Sequence, residues 1–182
     1  TFLKASMPLQ KKFDEEGKHS YPQAHKFTTI PFPDVSTIQD FHYCAQTQAK
    51  EGHCLLKGNT TKELIHESRA GSTDRDIYTQ WLCLDADGLT NVHSAKEFLE
   101  RLGLENFSYV LQWSSSAFLS KDGNINTDFN AHIFLFLDTP VSPHRLKLWL
   151  KKKNFEAFKD DLQLTASDMT LRWGLDITTC QN

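Results

Sequence analysis

The chain contains 182 residues, which is enough for one domain with a hydrophobic core, and its 13 Phe and 4 Trp residues supply large apolar side chains. The formal net charge of -3 excludes a protein that coats nucleic acid through bulk positive charge, so any nucleic-acid contact needs a local basic patch. No apolar run approaches the length of a membrane span, and no secretory signal opens the sequence.

The four cysteines are scattered along the chain, at Cys44, Cys54, Cys83 and Cys180. None of them forms a Cys-x-x-Cys pair, so the spacing of a structural zinc site is absent. This cysteine usage is typical of a reducing, intracellular compartment. We therefore expect a cytoplasmic location.

The first 27 residues are polar and mixed in charge. They predict a solvated N-terminal arm or a partly ordered lead-in, and residues 28–182 are assigned to the folded domain. The sequence starts with Thr1 rather than Met and stops soon after a predicted strand, so we expect a piece of a longer protein.

Downstream of the arm, the sequence predicts helices and strands in mixed order. In chain order, these are a helix from Asp34 or Ser36 to about Lys50, strands 53–57 and 78–84, a helix 94–102, strands 107–113 and 129–137, a helix 142–162 and a strand 171–175. Ser94, Glu97 and Gly103 mark both ends of the second helix. This order predicts an α+β fold with an antiparallel-rich mixed sheet and helices on one face.

Two connections in this plan are distinctive. Residues 59–76 are rich in Thr, Ser, Arg and Asp and predict an irregular segment. The turn-forming residues 121–124 predict that strands 107–113 and 129–137 form a hairpin.

The most informative stretch is an apolar strand, Trp81–Leu84, that ends in Asp85 and Asp87. Alternate residues of a strand point to the same side, so the two carboxylates project together. Oxygen ligands of this kind suit Mg²⁺ or Mn²⁺. An Asp-x-Asp-Gly run after a strand also fits a simple turn, and this alternative stays open on these residues alone.

Three further groups of polar residues lie at or near strand ends. Ser114, Ser115 and Ser116 follow one strand, where hydroxyl and backbone donors could meet an anion. Asn130 and His132 share one side of an otherwise apolar strand. Asp176 follows the last strand. Taken singly, these residues fit solvated turns and a hydrogen-bonded sheet histidine equally well.

In this order, the motifs resemble those of the archaeo-eukaryotic primase superfamily, in particular the primase-polymerase domains of phages, plasmids and other mobile elements. Asp85 and Asp87 match the family's first motif, His132 matches the histidine of the second, and Leu175-Asp176 matches the third. Asn130 stands where Ser is commoner in the family. The resemblance covers roughly residues 78–178 and implies an RRM-like catalytic core.

The resemblance implies a DNA primase, a DNA polymerase or both. Asp85, Asp87 and Asp176 would be catalytic and would hold two Mg²⁺ or Mn²⁺ ions, roughly 3.5–4 Å apart. His132, Asn130 and the serines Ser114, Ser115 and Ser116 would contact the nucleotide. The expected partners are a DNA template, nucleoside triphosphates and a fused or separate helicase, in the cytoplasm of a bacterial or phage-infected cell.

The basic residues of the helix 142–162 are candidates for the template contact. They are Arg145, Lys147, Lys151, Lys152 and Lys153. An outer, solvated helix face explains them equally well, with Leu146, Trp149, Phe155, Phe158 and Leu162 as the expected buried side.

Two alternatives belong to other functional classes. The first is a non-catalytic replication-initiator or DNA-binding module on the same fold, which would not need Mg²⁺ or Mn²⁺. The second is a metal-dependent nuclease. The relaxase kind needs a His-x-His pair, and positions 130 and 134 flanking His132 are Asn and Phe.

Overall fold

The computed structural model of the chain describes residues 1–8, 12–14, 17–19, 24–31, 33–56, 58–72, 76–115, 117–119 and 125–178. The chain divides into two compact units, one containing Thr1–Ile77 and the other Tyr78–Cys180. Both units combine antiparallel strands with helices, which confirms the α+β class. This division does not coincide with the boundary after residue 27 that the sequence predicts.

A small antiparallel sheet organises the first unit. Its elements are, in chain order, β1 (Phe2–Ala5), β2 (Lys12–Asp14), β3 (Gly17–His19), β4 (Phe27–Ile30), α1 (Ile38–Lys50) and β5 (Cys54–Leu55). The strand order is β4-β1-β5, while β2 and β3 pair with each other. Phe2 and Leu3 in β1 are each 2% exposed. Residues 2–5 therefore belong to the sheet and not to a solvated arm, because Phe2 and Leu3 are buried and the backbone of β1 pairs with two strands.

Helix α1 begins at Ile38, one residue later than a cap at Ser36 predicts and three later than a cap at Asp34 predicts. Thr37 is the N-cap: its hydroxyl accepts from the backbone N–H of Asp40, and the Asp40 carboxylate accepts from the N–H of Thr37. Neither Asp34 nor Ser36 takes that position. The helix ends before Gly52, as predicted, and Gly52 has the positive φ of 73° that only glycine adopts at little cost.

The segment 58–72 contains no helix and no named strand, in agreement with the irregular connection predicted at 59–76. It is nevertheless tied to the sheet. Leu64 exchanges hydrogen bonds with Thr29, through the Thr29 backbone N–H at 2.9 Å and the Thr29 hydroxyl at 2.8 Å. Leu64 is fully buried against Leu3 and Leu56. The strand predicted at 53–57 is shorter, Cys54–Leu55, and Lys57 lies outside the described residues.

The second unit contains a three-stranded antiparallel sheet in the order β6-β8-β7. Its elements are β6 (Thr79–Leu89), α2 (Ala95–Leu102), β7 (Val110–Trp113), β8 (Phe129–Val141), α3 (Pro143–Ala157), a short 3-10 helix (Lys159–Asp161), β9 (Gln163–Leu164) and β10 (Leu171–Arg172). The predicted pairing of β7 with β8 is confirmed. The turn predicted at 121–124 lies outside the described residues.

One face of this sheet carries the hydrophobic core. Leu84 of β6 and Ile133 of β8 are paired across the ladder and are fully buried. Phe98 of α2 and Leu150 of α3 belong to the same buried cluster. The helices therefore cover the face of the sheet to which Leu84 and Ile133 point. The residues directly before and after Leu84 on β6, and before and after Ile133 on β8, point to the opposite face.

Helix α2 has the predicted ends. Ser94 is the N-cap and accepts from the backbone N–H of Glu97, and Gly103 ends the helix with a φ of 73°. The Glu97 carboxylate accepts from the backbone N–H of His93 and pairs with Arg101. These two contacts, the His93 hydrogen bond first, lower the pKa of Glu97 below its ordinary value.

Helix α3 starts as predicted, with Ser142 as N-cap and Pro143 in the first turn, but it ends at Ala157 rather than near residue 162. Its buried side is Leu146, Leu150 and Asn154, at intervals of four residues. Phe155, which the sequence places on the buried side, is 54% exposed. An apolar residue one position beyond the buried stripe points outward, since each helical residue rotates the direction by about 100°.

In the described parts of the chain, no helix is both long and apolar enough to cross a membrane.

Candidate active site

Asp85 and Asp87 lie inside β6 rather than after its end. The strand continues because its pairing with β8 continues: Asp85 is opposite His132 and Ala86 is opposite Ala131. The predicted strand end at Leu84 is therefore wrong, and so is the alternative of a simple turn at this point. Polar side chains on the open face of a sheet do not interrupt its backbone ladder.

A β-bulge interrupts the pairing of β6 with β8 between Ala86 and Leu89. Ala86 faces Ala131 and Leu89 faces Phe129, so Asp87 and Gly88 together oppose one residue of β8. Gly88 has a φ of 74°, which a side-chain-bearing residue rarely adopts. Bulges of this kind redirect a side chain locally and occur often beside active sites.

His132 connects Asp85 to the edge strand of the sheet. Its Nε2 lies 3.3 Å from Asp85 Oδ1, and its Nδ1 lies 3.4 Å from Gln112 Oε1. Gln112 is opposite His132 in the β7–β8 register. Directly opposed residues of antiparallel strands share a face, so Gln112, His132 and Asp85 form a row across three strands.

Asp176 extends this row on the other side of β6. Ala86 and Leu175 form an antiparallel bridge, and the Asp176 backbone N–H donates to Asp85 O at 2.8 Å. Asp176 is therefore the residue opposite Asp85. The predicted strand at 171–175 is only partly correct, because the strand proper is Leu171–Arg172 and Leu175 pairs as an isolated bridge. We call Gln112, His132, Asp85 and Asp176 the polar row.

Asp176 in the polar row and Asp87 beside it both have contacts within the protein. Asp176 accepts from the backbone N–H and the hydroxyl of Thr178, each at 2.7 Å. Asp87 Oδ2 lies 3.3 Å from Arg172 Nη2. The side chains of Asp87 and Arg172 are 61% and 52% exposed, whereas those of Asp85 and His132 are 20% and 30% exposed.

A buried amide supports the segment that carries Asp176. Asn154 of α3 is fully buried, accepts from the backbone N–H of Leu175 at 3.0 Å and donates to Leu175 O at 2.8 Å. It also donates to Leu150 O at 2.9 Å. The Asn154 side chain thus takes the place of a neighbouring strand on the side of Leu175 that faces away from β6.

Asn130 lies under the bulge. Its Oδ1 accepts from the Gly88 backbone N–H at 2.8 Å, and its Nδ2 donates to Asp128 O at 3.0 Å. Only 5% of the residue is exposed. In this structure Asn130 supports the backbone beside Asp87, and its predicted contact with a nucleotide stays a prediction.

The serine run has only two described members. Ser114 follows β7 and donates its backbone N–H to Asn130 O at 3.0 Å, which places it beside the bulge. Ser115 is exposed, and Ser116 lies outside the described residues. Ser114 is thus brought to the same end of the sheet as Asp87, two residues along β7 from the polar row.

The donor chemistry at this site suits a hard divalent cation. Asp85, Asp87 and Asp176 supply oxygen atoms, the ligands that Mg²⁺ and Mn²⁺ prefer. Within the described ranges, however, no group of three or more His, Cys, Asp or Glu side chains is arranged to hold a metal ion. Asp176 is opposite Asp85, and Asp87 lies at the adjacent bulge. In this structure each of the three carboxylates contacts a partner within the protein.

Sequence reasoning did not identify Gln112, Arg172 or Asn154. Gln112 precedes Ser114 by two residues and so shares its face of the strand, which is a signal that the alternation rule offers. Arg172 and Asn154 gain their roles from contacts across 85 and 21 residues of sequence, respectively. No local pattern reports contacts of that range.

Outside the polar row, the basic residues of α3 have partners of their own. Lys152 and Lys153 both pair with Glu156, at 3.5 and 3.6 Å. Lys153 also lies over the ring of Trp149, 5.9 Å from its centroid.

Comparison of the chain with protein-family models, with curated proteins and with solved structures gives no match.

Proposed function

We propose that the chain is the catalytic core of a primase-polymerase that performs template-directed nucleotidyl transfer on an RRM-like fold. The observation that carries the proposal is the polar row. Asp85, His132 and Asp176 come from three separate stretches of sequence, and the sheet register brings them side by side on the face opposite the helices. Asp87 lies beside them at the bulge.

In the proposed reaction, a 3′-hydroxyl attacks the α-phosphate of a nucleoside triphosphate and releases pyrophosphate. Two divalent ions, when bound, supply charge neutralisation at the attacking and leaving oxygens. Asp85, Asp87 and Asp176 would hold these ions. His132 would donate a hydrogen bond to a triphosphate oxygen, and Ser114 or Ser115 would add hydroxyl contacts to phosphate or sugar.

The partners of the proposed activity follow from its chemistry. A DNA template is needed, and the exposed cationic side chains of α3 are the candidate contact for it. Lys152, with a side chain that is 69% exposed, is available for a phosphate contact despite its pair with Glu156. A fused or separate helicase, and a setting in the replication of a phage or another mobile element in a bacterial cytoplasm, belong to the same proposal.

One observation favours a second candidate. The described residues include no ready-made metal-binding group. A replication-initiator or DNA-binding module on the same fold would need none, and it would bind DNA without consuming nucleotides.

A primer-extension assay separates these candidates. The full chain is given a primed single-stranded template, nucleoside triphosphates and Mn²⁺, and the primer length is followed. We expect extension by the wild type, at least 100-fold slower extension by Asp176→Asn, and wild-type behaviour of Asp138→Asn, an exposed carboxylate of β8. Template binding without extension would favour the binding module, and primer shortening would favour a nuclease.

A further inference from the structure

Asp85 and Asp87 each lie beside a basic side chain: His132 is opposite Asp85 in the sheet, and Arg172 belongs to the separate strand pair β9–β10. Asp85 Oδ1 is 3.3 Å from His132 Nε2, and Asp87 Oδ2 is 3.3 Å from Arg172 Nη2. Both basic groups are suited to phosphate, and the planar guanidinium of an arginine can bind two phosphate oxygens at once. In this structure, Asp85 and Asp87 are therefore paired with His132 and Arg172, the two side chains that could bind phosphate.

We propose that Arg172 is a triphosphate-binding residue that Asp87 holds until a divalent cation takes over that carboxylate. The inference rests on the proposed function and names a regulation of the same site. Metal and Arg172 compete for Asp87, and Asp87 and the triphosphate compete for Arg172. Metal binding to Asp87 therefore frees Arg172 for the triphosphate, and triphosphate binding to Arg172 frees Asp87 for the metal. The two ligands bind with positive coupling, and by thermodynamic linkage each raises the affinity for the other by the same factor.

The exposure of the pair makes the exchange inexpensive. The side chains of Asp87 and Arg172 are both more than half exposed, and ion pairs at such exposure contribute little to stability. An added Cβ at the neighbouring Gly88 would lie 3.7 Å from Arg172 Nη2, an ordinary van der Waals distance, so the guanidinium lies beside the bulge. The side chains of His132 and Asp85 are less exposed, at 30% and 20%.

Arg172 also lies where the site needs positive charge. Asp85, Asp87 and Asp176 are adjacent across β6 and its neighbour, and a nucleoside triphosphate adds further negative charge. Arg172 precedes Asp176 by four residues in the same segment, so the chain that carries the third acid also carries this cation. When metal binds to Asp87, Arg172 can therefore exchange that carboxylate for a phosphate oxygen and stay within the site.

Isothermal titration of the full chain tests the exchange. The probes are Mn²⁺ alone, the α,β-methylene analogues of ATP and dATP alone, and each analogue with Mn²⁺. The variants are Arg172→Gln, Arg172→Lys, Asp87→Asn, the double variant Asp87→Asn/Arg172→Gln, and Lys96→Gln as an exposed cation of α2 that pairs with Glu100. Circular dichroism shows whether each variant keeps the fold.

The exchange predicts opposite effects of one substitution. Arg172→Gln should bind Mn²⁺ alone two- to fivefold more tightly, because a competitor for Asp87 is gone. It should bind the analogue with Mn²⁺ about 10-fold or more weakly, because a charged hydrogen bond is lost. Arg172→Lys should fall between Arg172→Gln and the wild type, and Lys96→Gln should match the wild type.

The double variant separates a released arginine from simple charge repulsion. Without metal, Asp87→Asn should bind the analogue several-fold more tightly than the wild type, and this gain should disappear in Asp87→Asn/Arg172→Gln. A gain of the same size in both backgrounds, or analogue binding by Arg172→Gln with Mn²⁺ within twofold of the wild type, would overturn the inference alone. No binding of the analogue by the wild type with Mn²⁺ would overturn the proposed function together with it.

Discussion

At the scale of single residues, His132 is held from both sides of its ring. Oxygen atoms of Asp85 and Gln112 lie 3.3 and 3.4 Å from the two ring nitrogens. Two such contacts fix the plane of an imidazole, since each ring nitrogen has one direction in which it can bond. Orientation of this kind decides whether the ring can meet a phosphate oxygen at the proper angle.

Gln112 is therefore expected to act through His132 as a positioning residue. Gln112→Ala should weaken binding of a triphosphate analogue with Mn²⁺ by about three- to tenfold, and His132→Ala should weaken it more, by about 10- to 100-fold. Once His132 is replaced by Ala, replacing Gln112 as well should have little further effect. Calorimetric titration of the four proteins measures this cycle. Equal and additive losses from the two single changes would show that Gln112 acts independently of His132.

The acids and the histidine could be anticipated from sequence because their motifs are local. Asp85 and Asp87 are two residues apart, and Asn130 and His132 repeat that spacing, so alternation along a strand gives their directions. The backbone role of Asn130 could not be anticipated. It depends on the bulge at Asp87–Gly88, which exists only in the pairing of β6 with β8.

At the scale of elements, the segment with Asp176 depends on helix α3 as much as on the sheet. Leu175 makes its backbone hydrogen bonds on one side through the Asn154 amide, in a fully buried position. A short chain segment at a sheet edge gains a fixed place when both of its sides are satisfied. Helix α3 thereby fixes the backbone next to Asp176.

Removal of this amide should destabilise the second unit. Asn154→Ala leaves the buried N–H and C=O of Leu175 without these partners, which costs about 2–3 kcal/mol of unfolding free energy. All four tryptophans lie in this unit, so their fluorescence during urea unfolding reports on it alone. Lys152→Ala on the exposed side of α3 is the matched control and should change the free energy by less than about 0.5 kcal/mol. A loss of similar size in both variants would contradict this role of Asn154.

Element boundaries show where sequence patterns lose information. The starts of helices α1, α2 and α3 and the ends of α1 and α2 lie close to the predicted positions because caps and glycines are local signals, whereas α3 ends about five residues before its predicted end. Strands β6 and β8 extend beyond the prediction, since a strand ends where its partner ends and not where its side chains become polar. Strand β1 was missed because its two buried residues, Phe2 and Leu3, stand in a polar stretch and acquire partners from β4 and β5.

At the scale of the whole molecule, the two units have separate hydrophobic cores. Leu3, Leu56 and Leu64 form the buried cluster of the first unit, and the larger cluster around Leu84 and Phe98 belongs to the second. Every described residue of the candidate site lies in the second unit.

The division into two units could not be read from the sequence. The division between the units falls between Ile77 and Tyr78, two residues with large side chains, and no Pro-rich or Gly-rich linker marks it. The composition changes instead near residue 27, which is where the sequence led us to expect a boundary. The boundary in the structure follows from which residues contact one another, and pairing such as that of β1 with β4 spans more than 20 residues of chain.

Calorimetric titration of a nucleoside triphosphate with Mn²⁺ tests most directly the proposal that Asp85 and Asp87 form a metal-dependent nucleotide site. The comparison is between the wild type and Asp85→Ala/Asp87→Ala, with Asp138→Asn as the control for loss of a carboxylate and circular dichroism as the check of the fold. We expect Mn²⁺-dependent binding by the wild type and the control, and a loss of at least 100-fold in the double variant. Binding that is absent in the folded wild type, or that survives unchanged in the double variant, would contradict the claim.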